Sequence, residues 1–208
     1  MEFENKIQSQ TEHTEYTVTG GSWNAEYQVV LDSTTLYHVK NESPTPDKPQ
    51  LTFFAGNGAN GPIVGSAKSV RFSSDIQITL ESNSLDKTST SARLSKKGLI
   101  TTRHVFETEI SHQKRTFTWK SSEMIDSFGP FQSLKLVDEE NNVIACFFPG
   151  GTRLKPNGAL LLYVDLGESF VLMILMAALA LREKQRRSAN GGYGAGLPLP
   201  GSAGSAGG

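Results

Sequence analysis

Seven basic side chains between residues 93 and 120 form the clearest cluster of residues that could bind a ligand. They are Arg93, Lys96, Lys97, Arg103, Lys114, Arg115 and Lys120. Only Glu107 and Glu109 oppose them within this segment, whereas residues 1–49 hold eight acidic and three basic side chains. Gathered on one face, the seven cations could hold an anionic headgroup, with the two arginines offering bidentate contacts to phosphate. The competing interpretation is a set of lysines and arginines that keep a barrel surface soluble.

A glycine-rich stretch at residues 56–61 matches the G-x-G-x-x-G pattern of dinucleotide-binding loops and follows an apolar run. A dinucleotide site requires a helix directly after the glycines, because the helix N-terminus faces the pyrophosphate. The chain continues instead with Pro62-Ile63-Val64-Gly65-Ser66, which is a poor start for a helix. We therefore predict two asparagine–glycine turns between strands and no cofactor.

The other residues capable of chemistry do not form a recognisable site. The histidines, at positions 13, 38, 104 and 112, show no two-ligand motif on a helix. On a strand, His104 and Glu107 would point to opposite faces and would not converge on a metal ion. Cys146 lies in an apolar run, where burial raises a thiol pKa, and is interpreted as a small core residue. Because the sequence also lacks a nucleophile elbow and a Walker loop, we expect no catalytic, metal-binding or cofactor-binding residues.

The charge balance and the single cysteine limit the partners and the location that we expect for this protein. With 20 basic and 21 acidic residues among 208, the net charge is −1, so no global field drives the chain onto nucleic acid or an anionic membrane. Aromatic residues do not interleave regularly with the cations, and nucleic acid is not an expected partner. The single cysteine excludes an intrachain disulfide and fits a reducing compartment. A polar, acidic start without a secretory signal predicts a cytoplasmic location.

Short alternating apolar runs, separated by turn-forming residues, dominate the chain and predict strands with one face inward. Their number and spacing indicate a β-sandwich or a β-barrel. The hairpin predicted most clearly joins residues 134–138 to residues 143–148. The runs include residues 27–31, 36–39, 51–54, 76–80, 117–119 and 134–136.

Only one segment is typical of a helix. Asp165 offers an N-cap carboxylate, Glu168 follows three residues later, and residues 170–181 are apolar on every side. A helix of this kind must be enclosed by protein or by lipid. Its apolar part spans about 18 Å, short of the roughly 30 Å of a bilayer core. We therefore predict burial within a sheet and no membrane span, with the basic residues at 182–187 ending the helix.

These segments suggest one folded domain between two terminal extensions. Residues 1–13 are interpreted as a flexible N-terminus and residues 14–187 as the domain, whose helix covers about residues 166–187. Residues 188–208 are rich in glycine, cannot bury enough apolar surface to fold, and are predicted to be a disordered tail.

Three features together carry a family resemblance: Phe117-Thr118-Trp119-Lys120, the pair Ser133–Asp138 with Val143-Ile144-Ala145, and the strand Leu160–Val164 before the apolar helix. Over about residues 14–187 the chain resembles the tubby C-terminal-like superfamily, which includes the phospholipid scramblases and the plant LURP-one-related proteins. It is most similar to the fungal members. The resemblance implies a closed antiparallel β-barrel wrapped around one central hydrophobic C-terminal helix. It also implies phosphoinositide binding through basic side chains on the barrel.

The expected function is a non-enzymatic binding module for phosphoinositide or another anionic lipid, peripheral to a cytosolic membrane surface. Two alternatives stay open. One is a protein-interaction or structural domain without a lipid ligand, which is distinguished by whether the seven cations gather on one face or scatter. The other is a lipid transporter of the scramblase type, for which the apolar helix would have to enter the bilayer.

Overall fold

The computed structural model describes residues 13–20, 26–42, 50–70, 73–81, 90–98, 103–110, 113–122, 133–150 and 157–191. These residues form twelve strands and one helix. The elements are β1 (Thr14–Gly20), β2 (Glu26–Leu31), β3 (Thr34–Asn41), β4 (Leu51–Ala55), β5 (Ile63–Ser69), β6 (Ile76–Leu80), β7 (Thr90–Lys97), β8 (Arg103–Ile110), β9 (Gln113–Ser121), β10 (Leu134–Val137), β11 (Val143–Phe148), β12 (Gly158–Leu162) and α1 (Glu168–Gly191).

The strands form a single closed barrel in which each strand pairs antiparallel with its neighbours in sequence. The barrel closes between β1 and β12, where Thr14 lies opposite Leu162 and Val18 lies opposite Gly158. Closure gives each of the twelve described strands two partners, so none of these strands forms an open sheet edge. The predicted fold, a mainly β protein with a closed antiparallel barrel and a C-terminal helix, is confirmed. The predicted hairpin is the β10–β11 pair.

The apolar helix forms the centre of the core. The side chains of an eight-stranded barrel fill its interior, whereas a twelve-stranded barrel has a wider interior. An α-helix with its side chains is about 10–12 Å across and can occupy that space. Every side chain from Phe170 to Leu181 is buried, together with the inward-facing residues of the strands. A helix that is apolar on all sides therefore satisfies all its faces inside the barrel.

The helix lies close to one wall of the barrel, formed by β4, β5 and β6. Gly65 on β5 permits this approach, because a Cβ atom there would lie 2.9 Å from the Met176 side chain and 2.9 Å from the Thr79 carbonyl oxygen. Large aromatic side chains fill the space on β8, β9 and β11. They are Phe106, Phe117, Trp119 and Phe147, all fully buried.

The helix passes through the barrel from end to end. The segment after β12 leads into the helix at one rim of the barrel, which we call the entry end. At the opposite rim, the exit end, Arg187 donates a hydrogen bond of 2.9 Å to Asn41 Oδ1. The helix begins two residues later and ends four residues later than predicted. Asp165 accepts the main-chain N–H of Gly167 at 2.9 Å, and Gly167 has a φ of 91°, so the helix proper starts at Glu168.

The predicted terminal segments lie mostly outside the described residues. Residues 1–12 and 192–208 are not described, whereas His13 precedes β1 and residues 188–191 continue the helix.

Candidate functional site

Three of the seven predicted cations lie side by side on the outer face of the barrel. Lys97 on β7 is directly opposite Arg103 on β8. The β8–β9 ladder, which pairs His104 with Trp119, places Arg103 opposite Lys120 when continued by one residue. Lys120 in turn lies opposite Lys135 on β10. We call these four residues, Lys97, Arg103, Lys120 and Lys135, the basic row.

The basic row concentrates positive charge across four adjacent strands. Residues directly opposite on antiparallel strands have Cβ atoms about 5 Å apart, and like charges at such positions destabilise the sheet. Burial, followed by repulsion from Arg103 and Lys135, lowers the pKa of Lys120. No carboxylate of the described residues lies within ion-pair distance of Arg103, and Lys120 donates to the amide oxygen of Asn141 at 2.6 Å. Arg103 and Lys120 therefore carry positive charge that no described carboxylate pairs with.

Two other predicted cations already have anionic partners. The Arg93 guanidinium contacts the Asp75 carboxylate at 2.7 Å, and the Lys114 ammonium contacts Glu107 at 2.5 Å. Burial alone would raise the pKa of Asp75, but hydrogen bonds from Arg93 and Ser73 outweigh it and lower that pKa. These pairs leave Arg93 and Lys114 less charge to offer a ligand.

The last two predicted cations lie at opposite rims. Lys96 pairs with the inward-facing His104 at the exit end. Arg115 pairs with the inward-facing Thr108, toward the entry end. The structure thus gathers three of the seven residues into one row, adds Lys135, and places the other four elsewhere. The sequence did not predict Lys135 as a site residue, because a single lysine in an alternating strand does not indicate a binding site until its cross-strand neighbours are known.

A buried ionic network closes the exit end. Glu183 is 1% exposed, accepts a hydrogen bond from the Tyr27 hydroxyl, and is held by Arg186 at 2.9 Å. Burial would raise the pKa of Glu183, but hydrogen bonds from Arg186, Tyr27 and Asn41 lower it overall. The Arg182 guanidinium lies 5.3 Å from the centre of the Tyr27 ring and donates to the Gly150 carbonyl at 3.1 Å. These arginines therefore have a packing role that their interpretation as helix termination did not include.

The glycine-rich stretch lies between two strands, and His104 faces the barrel interior. Residues 56–61 link β4 to β5, and Ala55 N–H donates to the Pro62 carbonyl at 2.9 Å, so a strand and not a helix follows the glycines. His104 is 5% exposed whereas Glu107 on the same strand is exposed, as opposite faces require. Within the described ranges no group of three histidine, cysteine or carboxylate side chains is arranged to hold a metal ion. His112 lies outside those ranges.

Cys146 is a buried core thiol, as its sequence context predicted. Burial raises its pKa to about 11, although a hydrogen bond with Tyr163 acts in the opposite direction. A thiol with so high a pKa is almost entirely protonated near neutral pH and is a poor nucleophile.

Among the described residues, no helix combines the length and the apolar character needed to cross a bilayer. Comparisons with protein-family models, curated proteins and solved structures gave no match. The resemblance to the tubby C-terminal-like superfamily thus stays a prediction from the sequence.

Proposed function

We propose that this protein is a non-enzymatic binding module for polyanionic lipid headgroups, with phosphoinositides as the preferred class, at a cytosolic membrane surface. The basic row carries this proposal. Four cations face outward at successive cross-strand positions, and the next outward positions on β7, β8 and β9 are the uncharged Ser95, Val105 and Thr118. A headgroup with several phosphates would neutralise several of these cations at once.

The chemistry favours a phosphate-rich ligand over a singly charged lipid. Repulsion among Lys97, Arg103, Lys120 and Lys135 costs stability in the free protein, and a bound polyanion would relieve it. Arg103 offers a planar fork to two phosphate oxygens, while the lysines act as point charges on either side. Each basic residue near an anionic membrane surface contributes about 1 kcal/mol of attraction.

Vesicle co-sedimentation at physiological salt tests the proposal. The test variant is K97Q/R103Q/K120Q/K135Q, and the control is K40Q/K68Q/R93Q/K114Q, which removes the same number of charges from strand positions outside the basic row. We expect the wild type and the control to pellet with phosphoinositide vesicles but not with neutral vesicles. The test variant should bind phosphoinositide vesicles at least tenfold less tightly. Tenfold is a minimum, because four cations at about 1 kcal/mol each contribute more than the roughly 1.4 kcal/mol that a tenfold change represents.

Equal losses in the two variants would show that net charge alone drives binding and would sink the proposal. Failure of the wild type to pellet with any vesicle would do the same and would favour a protein-interaction domain. Leakage or lipid flipping in the same vesicles would instead favour the scramblase-type alternative. A soluble inositol polyphosphate, titrated in parallel, separates headgroup recognition from attraction to the membrane surface.

A further inference from the structure

A cavity of about 600 Å³ lies at the entry end, far from the basic row. Its walls come from β1, from the β2–β3 hairpin and from the segment that leads into the helix. The apolar lining includes Leu31, Leu162 and Val171. The volume is within the range of sites that enclose small molecules, about 300–1,000 Å³.

The polar part of this lining is aromatic and acidic. Tyr16, Tyr37 and Tyr163 contribute phenol rings, and Asp165 and Glu168 contribute carboxylates. Among the described residues, no lysine or arginine belongs to the lining, whose remaining ionisable group is His13. Aromatic faces beside carboxylates attract organic cations, because the ring quadrupole and the negative charge act in the same direction.

The Tyr16 hydroxyl opens onto the cavity. The Tyr16 side chain is 7% exposed and borders the cavity, yet its hydroxyl makes no hydrogen bond with the described part of the chain. Because this oxygen is itself accessible from the cavity, either water or a ligand can bind to it there. A phenol oxygen can accept a hydrogen bond from an ammonium N–H.

The negative potential of the cavity acts on the tyrosines themselves. Burial, followed by the charges of Asp165 and Glu168, raises the pKa of Tyr16. Burial, followed by Glu168 and Tyr16, raises the pKa of Tyr37. A field that opposes a phenolate anion favours a cation at the same place.

We infer that the entry-end cavity is a binding site for a small amphiphilic amine, with its apolar body against Leu31, Leu162 and Val171 and its ammonium group between Tyr16 and Glu168. This assignment is independent of the basic row. An anionic ligand is disfavoured here, because Asp165 and Glu168 would repel it.

Isothermal titration calorimetry on the full chain tests the site with three probes: phenylbutylammonium, its trimethylammonium analogue, and the uncharged phenylbutanol. We expect the primary amine to bind at least tenfold more tightly than the alcohol. Glu168→Gln should weaken amine binding about fivefold and leave the alcohol unchanged. Glu15→Gln is the matched control, since Glu15 is exposed on β1 beside Tyr16 but does not line the cavity.

Tyr16→Phe sharpens the assignment, because it keeps the ring and removes only the hydroxyl. It should weaken the primary amine several-fold and spare the trimethylammonium probe, which has no N–H to donate. Equal affinity for amine and alcohol, no binding of either at millimolar concentration, or identical effects of Glu168→Gln and Glu15→Gln would overturn the inference. The K97Q/R103Q/K120Q/K135Q variant should keep amine binding, so failure of this site and failure of the basic row are distinguishable.

Discussion

The two ends of the barrel use charge in opposite ways. At the entry end, Glu168 is exposed and borders an open cavity, whereas at the exit end Glu183 on the same helix is fully buried among arginines and Tyr27. The first carboxylate keeps its hydration and is free to meet a ligand. The second has exchanged water for fixed hydrogen bonds. Two identical side chains on one helix therefore have different roles because they lie at different depths in the barrel.

The outer wall repeats this separation of charge. The basic row lies on strand positions near the exit end, while Asp165 and Glu168 lie at the entry end. The barrel therefore has one cationic and one anionic region, although the net charge of the chain is only −1.

The largest expected effect comes from the exit-end carboxylate. Glu183→Gln should lower the free energy of unfolding by about 3–5 kcal/mol, because it leaves buried arginine charge without its partner. Urea unfolding followed by tryptophan fluorescence measures the change. Glu81→Gln, at an exposed position, is the control and should be neutral. A loss below about 1 kcal/mol for Glu183→Gln would mean that the network does not stabilise the exit end.

His104, also at the exit end, should make stability depend on pH. Burial, then repulsion from Lys184 and Lys96, lowers its pKa in the folded state to about 4, from an ordinary value of 6.5. The unfolded chain therefore takes up a proton first, and stability falls as pH falls from about 6.5 to 4. We expect a loss on the order of 2 kcal/mol between pH 7 and pH 5. His104→Gln should flatten this part of the pH profile, and an unchanged profile would contradict the prediction.

Between the two ends, the close contact of helix and wall should tolerate no added methyl group. Gly65→Ala should destabilise the fold by about 1–3 kcal/mol, because the new Cβ would meet Met176 and the Thr79 carbonyl. Gly58→Ala is a suitable control, since a Cβ there would meet no atom within 4 Å. Thermal unfolding of both variants measures the difference between their melting temperatures. Equal melting temperatures would show that the helix can move away from this wall.

The smallest expected effect is at the entry end. Glu168→Gln should change the free energy of unfolding by less than about 0.5 kcal/mol, because the side chain is exposed. The same urea experiment used for Glu183→Gln compares the two glutamates directly. A loss comparable to that of Glu183→Gln would remove the distinction between the two ends.

Local patterns predicted most of the elements. The alternation in residues 134–148 specified the β10–β11 hairpin, and the all-round apolar character of residues 170–181 required an enclosed helix. The helix start was predicted less well, because Gly167 adopts a left-handed conformation that shifts the first turn to Glu168. The basic row was predicted only in part and the cavity was not predicted, because residues on different strands come together to form them.

The sequence alone determined that this chain forms strands and one helix that must be buried, because period-two alternation and uniform apolarity are local properties with few structural solutions. Which charges are paired, which are buried and which face a cavity depends on the tertiary structure. Barrel register places Arg103 beside Lys97 and Lys120, and the path of the helix places Glu183 among arginines and Glu168 beside tyrosines. Electrostatic roles depend on distances and burial across the fold, and no local pattern contains those quantities.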